Sequence, residues 1–359
     1  MSSTPTSPPP HKANARIPFS GATSTDSDTR PTDFILRSSG GVDFHVRKDM
    51  LKALSDFFDD MFSMVEKGRD GEDLSYAGKT VLALPESTKV LYALLSIAYP
   101  RQQPSVGTPE QGLGIDEILE MMEAAQKYRF VIAEPLVKNL FGAPALIQEN
   151  PHRIFAIAHI HQLPADIVRK AALGTLRFPV TPRFLEFPEM DRISWSTAQR
   201  LFDFHQTCGT RVAETLGELI KCGRLLYRNN QTKTPYIWWH VTGDDSGMHN
   251  APCGARMVAG KNKAATAAPW FTAHFAKVLA SIRASPAPLT VLTRTANVAP
   301  SERTLIKACI LCRKRADDDL KNLAEGLTVQ AYTMTEEIGK WHYIEEWVLL
   351  IAPAAKAYF

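Results

Sequence analysis

Between residues 33 and 62 the spacing of hydrophobic positions changes period twice. Phe34, Ile35 and Leu36 form a short β-branched and aromatic run, Ser38-Ser39-Gly40-Gly41 supplies turn residues, and Val42, Phe44 and Val46 alternate with polar neighbours, which predicts a hairpin. Met50, Leu51 and Leu54 then recur at helical spacing, Ser55 is placed to cap a second helix, and Phe58, Met61, Phe62 and Val65 give that helix an apolar face. A strand over 81–84 and a helix built on Val90, Leu91, Leu94 and Leu95 follow. Beyond a loop over 101–114, Ile115, Ile118, Leu119, Met122 and Ala125 make one core-facing stripe. From Gly142 the pattern becomes helical hairpins: Pro151 opens a helix over 153–162, Pro164 opens one over 167–177, and a long helix covers 194–223. After Gly326 the periodicity decays, and the apolar, aromatic ending over 341–359 reads equally as a docked helix or an ill-specified tail. The fold class is therefore α+β, a short sheet flanked by helices followed by a mostly helical C-terminal region. Leu51, Phe58, Met61, Phe62, Leu91 and Leu94 are the expected core of the first domain.

The spacing Asp33-x-x-Leu36, then Phe44, Leu51, Ser55, Phe58, Met61 and Phe62, resembles the opening of BTB/POZ domains, in which a hairpin leads into paired helices. Val81-Leu82-Ala83-Leu84-Pro85, the helix after it ending at Tyr99-Pro100, and Ala125-Gln126-Lys127-Tyr128 are similar to that family's third strand, following helix and A-x-K-Y helix end. The resemblance covers about 31–141 and rests on several short motifs in the right order; Arg47 stands where the family usually has a histidine. Two helices after such a domain look like the truncated helical extension many BTB proteins carry. The run 201–209, the pair Trp238-Trp239, Trp270 and Cys309-Ile310-Leu311-Cys312 resemble the C-terminal half of BTB-domain proteins from mushroom-forming fungi, a half with no activity to carry over.

Composition sets the domain organisation. A chain of 359 residues at 45% apolar composition allows two domains with cores of ordinary size. Residues 1–32 contain 18 Ser, Thr or Pro and three large apolar residues, which predicts a disordered tail. The expected division is then 33–141 for the BTB/POZ domain, 142–190 for a helical extension, 191–326 for a helical C-terminal domain and 327–359 for a segment of unassigned structure. No apolar run has the shape of a secretory signal or approaches the ~20 residues of a membrane span, so the expectation is a soluble, intracellular protein, cytoplasmic or nuclear. Five cysteines fit that setting as reduced thiols or metal ligands.

Charge is unevenly distributed. Residues 31–141 hold 12 Lys/Arg against 17 Asp/Glu, whereas 142–326 hold 24 against 15, which raises an acidic partner such as nucleic acid. The basic residues are scattered, however, and the one tight cluster, Arg313-Lys314-Arg315, is followed at once by Asp317-Asp318-Asp319, the pattern of a solvated face. A C₂H₂ spacing, a basic zipper and an aromatic RNA-binding motif are all missing.

Few residues carry recognisable chemistry. Gly78-Lys79-Thr80 imitates the end of a phosphate-binding loop, but Asp73 occupies the required glycine position and a strand, not a helix, follows. His159 and His161, two apart, fall on different helix faces and do not share a metal. The sequence has no G-x-S-x-G elbow, H-E-x-x-H pair or glycine-rich nucleotide loop, so the expectation is not an enzyme, with no small-molecule substrate. The strongest candidate site is a structural zinc: Cys309 and Cys312 are spaced to converge on one tetrahedral ion, and His240 and Cys253, with His249 and Cys222 as substitutes, are the nearest further ligands. The alternative is that both cysteines pack as small hydrophobes on the inner face of a helix over 305–323.

The resemblance implies an adaptor or scaffold: a protein-binding module that forms a homodimer through the outer face of its first strand and helices and recruits other proteins, cullin-type ubiquitin ligases among them. The alternative is a nucleic-acid-associated transcriptional regulator that uses the basic C-terminal half; the scattered charge disfavours it.

Overall fold

A computed structural model describes residues 10–16, 18–21, 31–66, 74–76, 78–98, 112–181, 186–221, 227–229, 234–241 and 265–355. The chain is α+β and divides into two compact units, Met1–Glu149 and Asn150–Phe359. The division falls between the ends expected at 141 and 190, and everything after it belongs to one unit.

The first unit is built on a five-stranded mixed sheet in the order β1-β3-β2-β5-β4, from β1 (Ala13–Asn14), β2 (Phe34–Arg37), β3 (Val42–Val46), β4 (Leu74–Tyr76) and β5 (Lys79–Ala83). β2 and β3 form the expected antiparallel hairpin, Phe34 opposite Val46 and Leu36 opposite Phe44, turned at Gly41 with φ of 80°. β5 runs parallel to β2, with Leu36 opposite Leu82. Helices α1 (Lys48–Leu54), α2 (Asp56–Glu66), α3 (Thr88–Ala98), α4 (Ile115–Lys127), α5 (Ala133–Leu140) and α6 (Pro144–Glu149) complete the unit. Ser55 caps α2, its Oγ accepting the Phe58 N–H at 3.2 Å. Leu51, Phe58, Phe62, Leu91 and Leu94 are buried, but Met61 is only half-buried: Phe58 and Phe62 lie one turn apart on the inner stripe, and Met61 sits at its flank.

The expectation of a disordered tail over 1–32 needs correction at residues 10–16 and 18–21; 1–9, 17 and 22–30 lie outside the described residues. β1 pairs in parallel with β3, Ala13 opposite Val42 and Asn14 opposite Asp43. Phe19 is 2% exposed, its ring 6.0 Å from Phe44 and 5.8 Å from Tyr92. Composition counted apolar residues available to build a core; it did not register that the open edge of β3 supplies backbone partners and that one aromatic can anchor a segment otherwise rich in Ser, Thr and Pro.

The second unit contains α7 (Pro151–Ile160), α8 (Ala165–Thr175), a 3₁₀ turn (Pro188–Arg192), α9 (Trp195–Lys221), β6 (Tyr227–Asn229), β7 (Thr234–Pro235), β8 (Trp239–Val241), β9 (Ala265–Ala267), α10 (Pro269–Ala284), α11 (Pro288–Ala296), α12 (Pro300–Ala308) and α13 (Ile310–Ala355). Proline opens α7, α10, α11 and α12, a position where its missing N–H has no helical partner to lose. β6 pairs with β7 and β8 with β9 as two antiparallel ladders. The core is an aromatic stack, Tyr236 on Trp238 at 4.7 Å and Trp238 on Phe271 at 4.3 Å, with Trp270 edge-on, packed against Cys312, Ala316, Leu320, Leu323, Leu327 and Ala331 of α13. The single helix expected over 305–323 is broken at Cys309, which is extended (φ −99°, ψ 123°) between α12 and α13. The boundary expected at 326/327 falls inside the uninterrupted α13. Among the described residues no helix is long and apolar enough to cross a membrane.

Candidate interaction surface

The outer corner of the first unit is assembled by the end of α4. Tyr128 caps the helix, Arg129 takes a left-handed conformation (φ 50°), and the Phe130 N–H returns to the Ala125 carbonyl at 2.8 Å, closing the helix end as a Schellman-type turn. That turn drives Phe130 inward, 6.0 Å from the Phe58 ring, and the Tyr128 ring stacks on Phe58 at 5.7 Å. Ser55 Oγ donates to the Tyr128 carbonyl, so one hydroxyl ties the start of α2 to the end of α4. Burial, reinforced by its hydrogen bond to Glu86, pushes the Tyr128 hydroxyl well above its usual pKa, so it stays a donor.

With Phe130 turned in, the next residues face out. Val131 is 65% and Ile132 59% exposed, and Leu136, one turn into α5, is 44% exposed. Arg129 pairs with Asp60 of α2, and Met64, one turn beyond Asp60 on that helix, is 55% exposed. Val131 and Ile132 follow Arg129 closely and Met64 lies one turn beyond Asp60, so exposed apolar side chains stand on either side of this ion pair, with the acids Asp56, Asp59 and Glu134 on the same two helices, α2 and α5. Scattered single apolar residues on a surface need no explanation; a cluster rimmed by charge is the pattern of a docking site. By contrast, Phe34, Ile35, Leu36, Phe44 and Val46 of the hairpin, which together with the first helices was the expected self-association surface, are all buried within their own unit.

The zinc candidates do not assemble among the described residues. Cys309 and Cys312 are both fully buried in the aromatic core of the second unit. No group of three or more His, Cys, Asp or Glu among the described residues is arranged to hold a metal. The backbone of His240 lies in β8, opposite Thr266, but its side chain, and Cys253, Cys222 and His249, lie outside the described residues. The two thiols alone give half a tetrahedral site.

Two polar clusters were not legible in the sequence. Arg37 and Asp43, opposite each other in the hairpin, form a bidentate pair at 2.6 and 2.9 Å with Asp43 wholly buried, and the hydrogen bond to Asp43 holds the guanidinium pKa above its ordinary value. In the second unit, Lys277 Nζ donates to Glu302 Oε1 at 2.5 Å and Ser301 Oγ donates to Glu302 Oε2 at 2.7 Å. Those two hydrogen bonds hold the Glu302 carboxyl well below the usual carboxylate range. The Ser301 hydroxyl donates to a carboxylate already held by Lys277, at the first turn of α12, an arrangement that does not activate a nucleophile. Of the basic run, Arg315 reaches Asp319, while Asp317 accepts Arg303 of α12. No protein-family model matches the chain, and no curated protein matches it.

Proposed function

We propose that the chain is a protein–protein interaction module, an adaptor or scaffold whose first unit is of BTB/POZ type and recruits a partner through the Met64, Val131, Ile132 and Leu136 corner. The observation that carries this reading is that corner's exposed apolar cluster beside the Arg129–Asp60 pair. The hairpin leading into α1 and α2, with β5 parallel to β2, supports the family reading, and the resemblance suggests a cullin-type ubiquitin-ligase scaffold or a second copy as the partner. A regulator acting on nucleic acid is less well supported, because the basic residues of the second half are scattered and two of them, Arg303 and Arg315, are paired with Asp317 and Asp319.

The test is association of the full chain, measured by light scattering at tens of micromolar and by calorimetry against a purified cullin N-terminal domain. The wild type associates in one or both assays, and a Val131→Asp, Ile132→Asp variant with an unchanged melting temperature does not. A wild type that is monomeric and gives no heat with the cullin fragment overturns the reading.

A further inference from the structure

We propose that the edge of β3 is a peptide-binding groove held closed by the chain's own residues 10–21, and that its partner is an extended segment of another protein carrying an aromatic residue three positions after an arginine. Residues 10–21 show what the groove accepts. Main-chain hydrogen bonds run from Lys12 N–H to the Gly41 carbonyl at 2.8 Å, from Ala15 N–H to the Asp43 carbonyl at 2.8 Å and from His45 N–H to the Phe19 carbonyl at 3.0 Å. Phe19 fills a slot between Phe44 and Tyr92, and the Arg16 guanidinium lies 5.6 Å over the Tyr92 ring. The His11 ring stacks on Tyr76 at 4.7 Å. Backbone pairing plus a pocketed aromatic is the way sheet edges capture extended peptides.

The strap is an imperfect occupant. Regular pairing covers only Val42 and Asp43 of the five-residue β3. The chain then turns away, Phe19 N–H closing on the Arg16 carbonyl at 2.9 Å, and returns only for the bond to His45. Phe44 and Val46 face Leu36 and Phe34 of β2, so the edge is presented by Asp43 and His45, and a strand running straight on from Asp43 pairs regularly at His45, where the strap returns for a single bond after its turn. Closure also depends on Gly21, which has φ of 74°: a Cβ there would lie 2.7 Å from two atoms of the His45 ring. The same competition argues against a second copy as occupant. A strap attached through residues 22–33 meets its own edge at an effective concentration on the order of millimolar, so an identical strap from another chain at micromolar concentration gains nothing. A partner must offer more contacts than the strap does.

The experiment uses the full chain and a fluorescein-labelled synthetic peptide of residues 10–21, followed by anisotropy, with hydrogen exchange at the His45 amide to report strap release. The wild-type chain does not take up the peptide, whereas Gly21→Val and Phe19→Ala chains, each releasing the strap, do. A peptide carrying Phe19→Ala binds the released chains at least about tenfold more weakly, as loss of an aromatic anchor predicts. Should Gly21→Val fail to fold, Phe19→Ala decides. Released chains that ignore the peptide, a wild type that binds it as tightly as they do, or unchanged His45 exchange in both variants each overturn the proposal. Released chains that dimerise instead show the edge to serve a second copy and overturn the commitment to a separate partner.

Discussion

Replacing Phe58 with alanine tests the packing of the first unit at the point where most of it converges. Phe58 is 1% exposed, and its ring is 5.3 Å from Phe57, 5.7 Å from Tyr128, 6.0 Å from Phe130 and 6.1 Å from Phe62. Truncation removes the transfer free energy of the ring and leaves a cavity between α2 and the α4 end, a combination that costs ~3–5 kcal/mol. The aromatic contacts, each ~0.5–1.5 kcal/mol, are part of that total and not an addition to it. Against a native stability of ~5–15 kcal/mol, the loss is about a fifth or more. All six tryptophans lie at position 195 or later, so tryptophan emission follows the second unit and the helical signal alone reports the first. With a urea slope of ~2 kcal/mol per molar, the circular-dichroism midpoint assigned to the first unit moves down by ~2 M. A shift below ~0.3 M on that same scale, or one confined to tryptophan emission, would refute the placement of α2 against α4. Phe57→Ala, at a half-buried position, costs less and serves as the control.

Three further outcomes follow from buried polar groups. Asp43→Ala leaves the Arg37 guanidinium buried without its carboxylate and costs ~3–5 kcal/mol, while an Arg37→Met, Asp43→Leu pair recovers most of that; equal losses in urea melts of the two would remove the ion pair from the account. Burial holds His152 and His159 down to about 4, against an ordinary value of 6.5, so below pH 6.5 the unfolded chain takes up protons first. Stability of the second unit is then level above pH 7 and falls between about pH 6.5 and 4 with a slope of up to ~1.4 kcal/mol per pH unit for each group; the same slope in a His152→Gln, His159→Gln chain contradicts this origin. Burial pushes the Cys208 thiol up to about 12, and Cys309 and Cys312 are buried with it, so at pH 8 at most two of the five thiols of the native chain react with a chromogenic disulfide; three or more would place one of these cysteines at the surface.

The parts of the fold that were legible are those in which period, turn and cap agree. The hairpin, the Ser55 cap, the strand before Pro85 and the A-x-K-Y helix end each carry a local signal that tertiary packing left in place. The rest was hidden for identifiable reasons. The strap pairs with a sheet edge that lies 29 positions away in sequence, Ala13 opposite Val42, so no window over 10–21 contains its partner. Val131 and Ile132 are given no role by the sequence pattern, and it is the left-handed Arg129 turn that sends Phe130 inward and leaves them outside. The break at Cys309 lacks the glycine or proline that would announce it; the proline that matters is Pro300, nine residues earlier, where α12 begins. The Arg37–Asp43 pair is invisible to patterning because both residues occupy positions that an alternating strand assigns to solvent.

That last point extends to the second unit and changes how its acidic run is understood. Asp317, Asp318 and Asp319 read as one solvated block, yet successive residues on a helix point about 100° apart, so the three have separate surroundings. Asp317 accepts Arg303 at the surface. Asp319 is wholly buried and accepts the Ile237 N–H at 2.8 Å, one residue from the tryptophan at the centre of the aromatic stack. Asn322, one turn on, accepts the Tyr236 hydroxyl at 2.9 Å, so α13 holds both flanks of the turn that delivers Trp238 to the core. A carboxylate out of water is costly unless it is hydrogen-bonded, and the peptide N–H it binds would otherwise be a buried donor with no helix or ladder to join. In both units a buried aspartate therefore fixes a short stretch of chain whose backbone geometry the hydrophobic pattern leaves undetermined: Asp43 does so through Arg37 across the hairpin, and Asp319 directly at Ile237.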